Sequence, residues 1–185
     1  MAVIEAIQTT YLEADVATVE FDISSSPGNT YEHLQLRMNA ATDSTYASGV
    51  YRDFCKVFFN TSTATTNSDY AWHAMYGRAS TASSSSGTGS NYIYIPHCAG
   101  TSLGVAYFGT TVVDILDYRN GSKNTTTSSP NGSLGPGTGT AELSVGFSSG
   151  LWDNVAAVTK VLLVPDLGSN WRRGSEFTLY GLNSS

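Results

Sequence analysis

Three histidines (His33, His73 and His97), two cysteines (Cys55 and Cys98) and 15 acids are the residues of this 185-residue chain with the most chemistry to offer. A hydrolytic triad needs a serine, a histidine and an acid brought together in space. No G-x-S-x-G elbow marks such a serine, and there is no H-E-x-x-H and no P-loop. His97-Cys98, joined by His73 or Cys55, has the soft donors a metal takes. Zinc sites are marked by C-x₂₋₄-C or H-x₃₋₅-H pairs, however, and neither spacing occurs. Asp114 and Asp117 stand three apart, so on a strand they point to opposite faces. They therefore do not make the carboxylate pair that glycoside hydrolysis requires. The glycine-rich stretch 132–139 lacks a lysine and precedes no helix, so it reads as a plain loop rather than a phosphate cradle. The sequence thus predicts no catalytic residue, no metal site, no cofactor and no enzymatic activity.

Aromatic residues are the better candidates for binding. Trp72, Tyr76, Tyr92 and Tyr94 cluster in the middle of the chain. Exposed Trp and Tyr suit sugar stacking or a protein interface. The competing reading of the same four is core packing in a small sandwich.

The elements that must position these residues have a period of two. Val19, Phe21 and Ile23 alternate with Glu20 and Asp22, which places the three on one face of a strand. The turn-forming segment 24–29 ends it. Leu34, Leu36 and Met38 alternate with Gln35, Arg37 and Asn39. Apolar runs follow at residues 50–59 and 70–76, and then a strand at 91–95 stopped by Pro96. Strands at 107–108 and 112–118 come next. Leu143, Val145 and Phe147 alternate with Glu142, Ser144 and Gly146, and strands at 158–164 and 177–182 complete the set. Residues 79–90 and 120–140 are Ser, Thr, Gly and Asn throughout much of their length and read as two long surface loops. At most, residues 152–157 form one helical turn. The expectation is nine or ten short strands in one all-β domain spanning 1–185, a sandwich or barrel. Residues 1–15 are expected to form an N-terminal arm or an edge strand.

Composition narrows the role. Charged residues make up 13% of the chain, about half the ~25% usual in soluble domains. There are 25 Ser and 22 Thr, so the sequence is unlike a helical bundle, and its 11% aromatics argue against disorder. A net charge of −6 with nine scattered Lys and Arg disfavours nucleic-acid binding. No apolar run approaches the ~20 residues of a membrane span. The first residues, Met1-Ala2-Val3-Ile4-Glu5, lack a signal-peptide pattern, so synthesis in a cytoplasm and two free, buried thiols are expected.

Several stretches, in order, resemble a family of small structural proteins of tailed bacteriophages. They are Val19-Glu20-Phe21-Asp22-Ile23 with Pro27-Gly28-Asn29-Thr30-Tyr31-Glu32-His33-Leu34; Met75-Tyr76-Gly77; Tyr94-Ile95-Pro96; and the segment from Phe108 to Tyr118. The most specific is Ser149-Gly150-Leu151-Trp152-Asp153-Asn154 with the residues up to Val161, and Phe177-Thr178-Leu179-Tyr180-Gly181-Leu182 closes the series. The resemblance implies an antiparallel β-sandwich of jelly-roll type on a virion. It implies a capsid decoration (cement) protein on the outer surface of the head, a homotrimer whose partner is the major capsid protein. The alternative it leaves open is a tail- or head-fibre module that binds a receptor or carbohydrate. It also implies that Gly150 and Gly181 sit where a side chain would clash or φ is positive, that Trp152 plugs one end of the sandwich, and that Leu179 packs inward.

Overall fold

The computed structural model describes residues 3–45, 52–64, 66–78, 80–100, 107–133 and 144–183. They form twelve strands: β1 (Val3–Tyr11), β2 (Val19–Asp22), β3 (His33–Ala40), β4 (Arg52–Phe59), β5 (Tyr70–Arg78), β6 (Thr81–Ser90), β7 (Ile93–Ala99), β8 (Gly109–Leu116), β9 (Thr125–Ser133), β10 (Ser144–Trp152), β11 (Lys160–Pro165) and β12 (Glu176–Asn183). The fold is an antiparallel β-sandwich. Its larger sheet has the order β1-β12-β3-β8-β9-β10-β5-β6, and its smaller sheet has the order β2-β11-β4-β7.

The alternation read in the sequence accounts for the core. Val19, Phe21 and Ile23 are all buried, as are Leu34, Leu36 and Met38. They meet Val113 and Ile115 of β8, Val161 and Leu163 of β11, and Phe177 and Leu179 of β12. Adjacent side chains on a strand take opposite faces, so the inward set comes from every second position. Trp171, fully buried, closes this core from a loop and donates its indole N–H to the Leu163 carbonyl at 3.2 Å. Trp152 packs at 5.6 Å from Phe59 and 6.4 Å from Tyr70, with its indole N–H on Asp69 at 3.2 Å.

Two glycines are fixed by sterics. A Cβ on Gly181 would fall inside the Tyr31 ring, and one on Gly150 would collide with the Ile93 side chain and with Thr127 Oγ1. Both positions hold glycine because a neighbouring side chain occupies the space, not because φ is positive. Among the described glycines, only Gly89 and Gly174 have positive φ.

Four expectations are corrected. Residues 81–90 are not a loop but β6, in register with β5 from Arg78↔Thr81 to Tyr70↔Ser90. Residues 125–133 are not a loop but β9, held between β8 and β10 in the middle of the larger sheet. Backbone pairing on both sides outweighs the poor strand propensity of Ser, Gly and Pro. The strand expected to stop at Pro96 continues to Ala99, because β7 is an edge strand and an edge tolerates the missing N–H. Residues 153–157 form no helical turn; they are irregular. Most of the glycine-rich stretch 132–139 lies outside the described residues.

Candidate functional site

The ionisable residues singled out in the sequence do not converge. His33 Nδ1 accepts the Asp117 N–H at 2.9 Å, and the Asp117 carboxylate takes a hydrogen bond from Lys123. That bond, with the Lys123 charge, outweighs desolvation and holds Asp117 below the usual carboxylate range. Asp114 instead accepts from Gln35 Nε2 at 2.8 Å. His73 is exposed on β5. Cys55 is a free thiol with no exposure, and burial pushes it far up, which makes it a packing residue and not a nucleophile. The side chains of His97 and Cys98 lie outside the described residues. Among the described residues no three His, Cys, Asp or Glu side chains are placed to hold a metal.

Of the four aromatic candidates, three come together. Trp72 of β5 lies 4.7 Å from Tyr94 of β7, which stacks on Phe54 of β4 at 4.5 Å, and Tyr92 is 6.3 Å from Tyr94. The Lys56 ammonium lies 5.3 Å over the Tyr92 ring and pairs with Asp166 at 2.9 Å. Gly87 of β6 makes room for Trp72: a Cβ there would be 2.6 Å from the indole nitrogen. These rings are half-buried and turned toward one another. Tyr76 lies four residues further along β5, on the same side of the sheet as Trp72, and borders the hollow described next.

That surface is the least expected feature of the molecule. On β9 the buried residues are Thr125, Thr127, Ser129, Asn131 and Ser133. On β10 the inward positions are Ser148, Gly150 and Trp152, while Val145 is 67% exposed and Phe147 is 44% exposed. Phe147 stands opposite Met75 of β5, itself 63% exposed, and opposite Pro130 of β9 on its other side. Val145 stands opposite Gly77. The result is a hollow of about 640 Å³ lined by Met75, Val145 and Phe147, with the small residues Gly77, Ala82 and Ser84 at its floor and rim. The inner face is held instead by polar pairs, Ser129 with Ser148 at 2.6 Å and Ser133 with Ser144 at 2.9 Å. The alternation of Val145 and Phe147 was readable, but alternation alone does not say which face is buried, and they face out.

Charge follows the same division. The strands β9, β10, β5 and β6 contain no Asp or Glu, and Arg78 is their one Lys or Arg. An exposed apolar row in an uncharged setting is the usual composition of a protein contact surface.

Sequence reasoning missed a second feature, the anchoring of the loop after β11. Asp53, fully buried, accepts the N–H groups of Phe54, Leu167 and Gly168 at 2.7–2.8 Å. Asp43 accepts those of Ser169 and Asn170 and the Asn170 amide at 2.7–2.9 Å. Burial opposes the Asp43 charge, but these donors prevail and hold its carboxyl below the ordinary value. Gly168 fits between the two acids, since a Cβ there would meet both carboxylates. Both carboxylates accept loop amides, so the cluster positions the loop. An acid in the mixed run 50–59, which also holds Arg52 and Lys56, was the available signal.

No protein-family model and no curated protein matches the chain.

Proposed function

We propose that the chain is a virion structural protein, a capsid decoration (cement) protein of jelly-roll type that binds the outer surface of an assembled phage head as a homotrimer and stabilises it. The strand order favours the jelly roll. Setting aside the inserted pairs β5–β6 and β9–β10 leaves two interleaved four-strand sets, β1-β12-β3-β8 and β2-β11-β4-β7. The observation that carries the functional reading is the outward apolar row Met75, Phe147 and Val145. A soluble domain keeps such a row exposed when another protein covers it. The major capsid protein is the proposed cover.

The mechanism is mass action. A ligand that binds only the assembled lattice stabilises it over the dissociated subunits. Many copies on one shell turn modest single contacts into firm attachment. Particles assembled without the chain are expected to lose DNA at lower temperature or under milder osmotic shock, and adding purified protein is expected to restore them. Unchanged particle stability would reject the cement role.

A second reading, a receptor- or carbohydrate-binding fibre module, is favoured by the convergence of Trp72, Tyr92 and Tyr94 beside the Lys56–Asp166 pair. Glycan-array binding that disappears in a folded Trp72→Ala variant would support it. Copy number separates the two readings: hundreds per virion for a decoration protein, a few to tens for a tail module.

A further inference from the structure

Four strands end the two sheets: β1 and β6 in the larger, β2 and β7 in the smaller. Exposed edges are templates for pairing with another chain, and folded proteins normally blunt them with charge, proline, bulges or short length. Three of these edges are blunted. β1 carries Glu5 and a bulge between Ala6 and Gln8. β2 is four residues long and carries Glu20 and Asp22. β7 contains Pro96 and a register shift against β4.

β6 is the exception. It runs ten residues, Thr-Ala-Ser-Ser-Ser-Ser-Gly-Thr-Gly-Ser, nearly all exposed, with no charge, no proline and nothing larger than threonine. Its one register shift lies at its C-terminal end, where Tyr70 meets Ser90 and Trp72 meets Gly87, and the pairing with β5 is unbroken over residues 81–87. Its outer backbone edge is therefore regular and open.

We propose that β6 pairs antiparallel with β6 of a second copy of this chain, so that the two larger sheets run on as one. The occupant follows from charge and side-chain size. In a chain of net charge −6, identical copies repel wherever their acids meet. The four strands nearest this edge hold no acid at all, so wing against wing is the approach that repulsion opposes least. β6 has no large or charged side chain with which to select a different partner, whereas two identical neutral strands of Ser, Thr, Ala and Gly meet without clash and bond through backbone alone. The contact is isologous, closed by a two-fold axis normal to the sheet. It joins two copies, or two trimers, and it keeps both apolar rows on the same outer face. It needs no capsid, so it stands or falls separately from the cement reading.

The test is sedimentation velocity of the purified chain over a wide concentration range, with amide hydrogen exchange of residues 81–90. The expected result is a doubling of mass with concentration, together with slowing of exchange in β6. Ser84→Lys and Ser86→Lys each place like charges across the seam and are expected to weaken the doubling by about tenfold or more, with thermal midpoints unchanged. Thr9→Lys, on the opposite edge, is expected to leave it intact. A single mass at all concentrations with fast β6 exchange would overturn the inference. So would doubling that survives both lysine variants, or doubling that is lost in Thr9→Lys instead.

Discussion

On β3, β8 and β12 the inward side chains are Leu34, Leu36, Met38, Val113, Ile115, Phe177 and Leu179, and polar residues such as Gln35 and Arg37 face solvent. On β9 and β10, in the same sheet, Thr127, Ser129, Asn131 and Ser148 face inward while Val145 and Phe147 face out. The first half follows the rule for a sheet with one dry and one wet face. The second inverts it. Burying Ser and Thr costs least when hydroxyls pair, as Ser129 does with Ser148. Exposing Val and Phe is a liability unless something covers them. The two halves therefore differ: one holds the fold together, and the other carries the apolar row proposed above to meet a partner.

Substitutions can break or sharpen this contrast, and the largest effects belong to the apolar half. Leu36→Ala and Leu179→Ala are each expected to cost about 2–5 kcal/mol in urea denaturation, because each empties a fully buried site. Asp53→Ala, which orphans two loop N–H groups and that of Phe54 in β4, is expected to cost about 2–3 kcal/mol, with hydrogen exchange rising first in residues 166–170. In the inverted half, Ser148→Ala removes the partner of Ser129 and is expected to cost about 1–2 kcal/mol. Val145→Ser and Phe147→Ser are expected to change stability by no more than about 0.5 kcal/mol, while reducing binding of an apolar dye. If those two changes cost as much as Leu36→Ala, the division of the sheet into two roles is wrong.

The acid side of the stability curve offers a smaller test. The folded-state pKa of Asp43 is lowered, so its contribution is present above the unfolded value of ~3.9 and is lost as pH falls through the lower folded value. Asp43→Asn is expected to flatten the thermal midpoint in that window and leave the alkaline side unchanged. Tyr70 works in the opposite direction. Burial raises it to about 12, so its contribution is complete below the ordinary value near 10 and disappears as pH rises through 12. Tyr31, Tyr92 and Tyr118 are raised as well, so titration of tyrosinate absorbance is expected to show a late-ionising phase whose amplitude falls by one group in Tyr70→Phe.

The sequence made the apolar half readable because its strands carry both signals at once, period two and large apolar residues. Val19, Phe21 and Ile23 could be assigned to one buried face without a structure. In the other half the two signals separate. β6 and β9 are built of Ser, Thr, Gly and Asn, a composition that reads as loop, and they are strands because neighbouring backbones pair with them. On β10 the period was visible, but alternation does not say which face is inside. Hydrophobicity ordinarily answers that question, and here it answers wrongly, because Val145 and Phe147 face out. Trp72, Tyr92 and Tyr94 were found by type, yet the sequence could not show that their rings would turn mostly toward each other and toward Phe54.

The most direct test of the proposal is co-sedimentation of the purified chain with heads assembled without it, comparing wild type with a Val145→Asp/Phe147→Asp double variant of equal thermal midpoint. Wild type is expected to saturate the shell and raise its melting temperature, and the variant to remain in the supernatant. Undiminished binding by the variant, or no binding by wild type, would contradict the assignment of the apolar wing as the surface that meets the capsid.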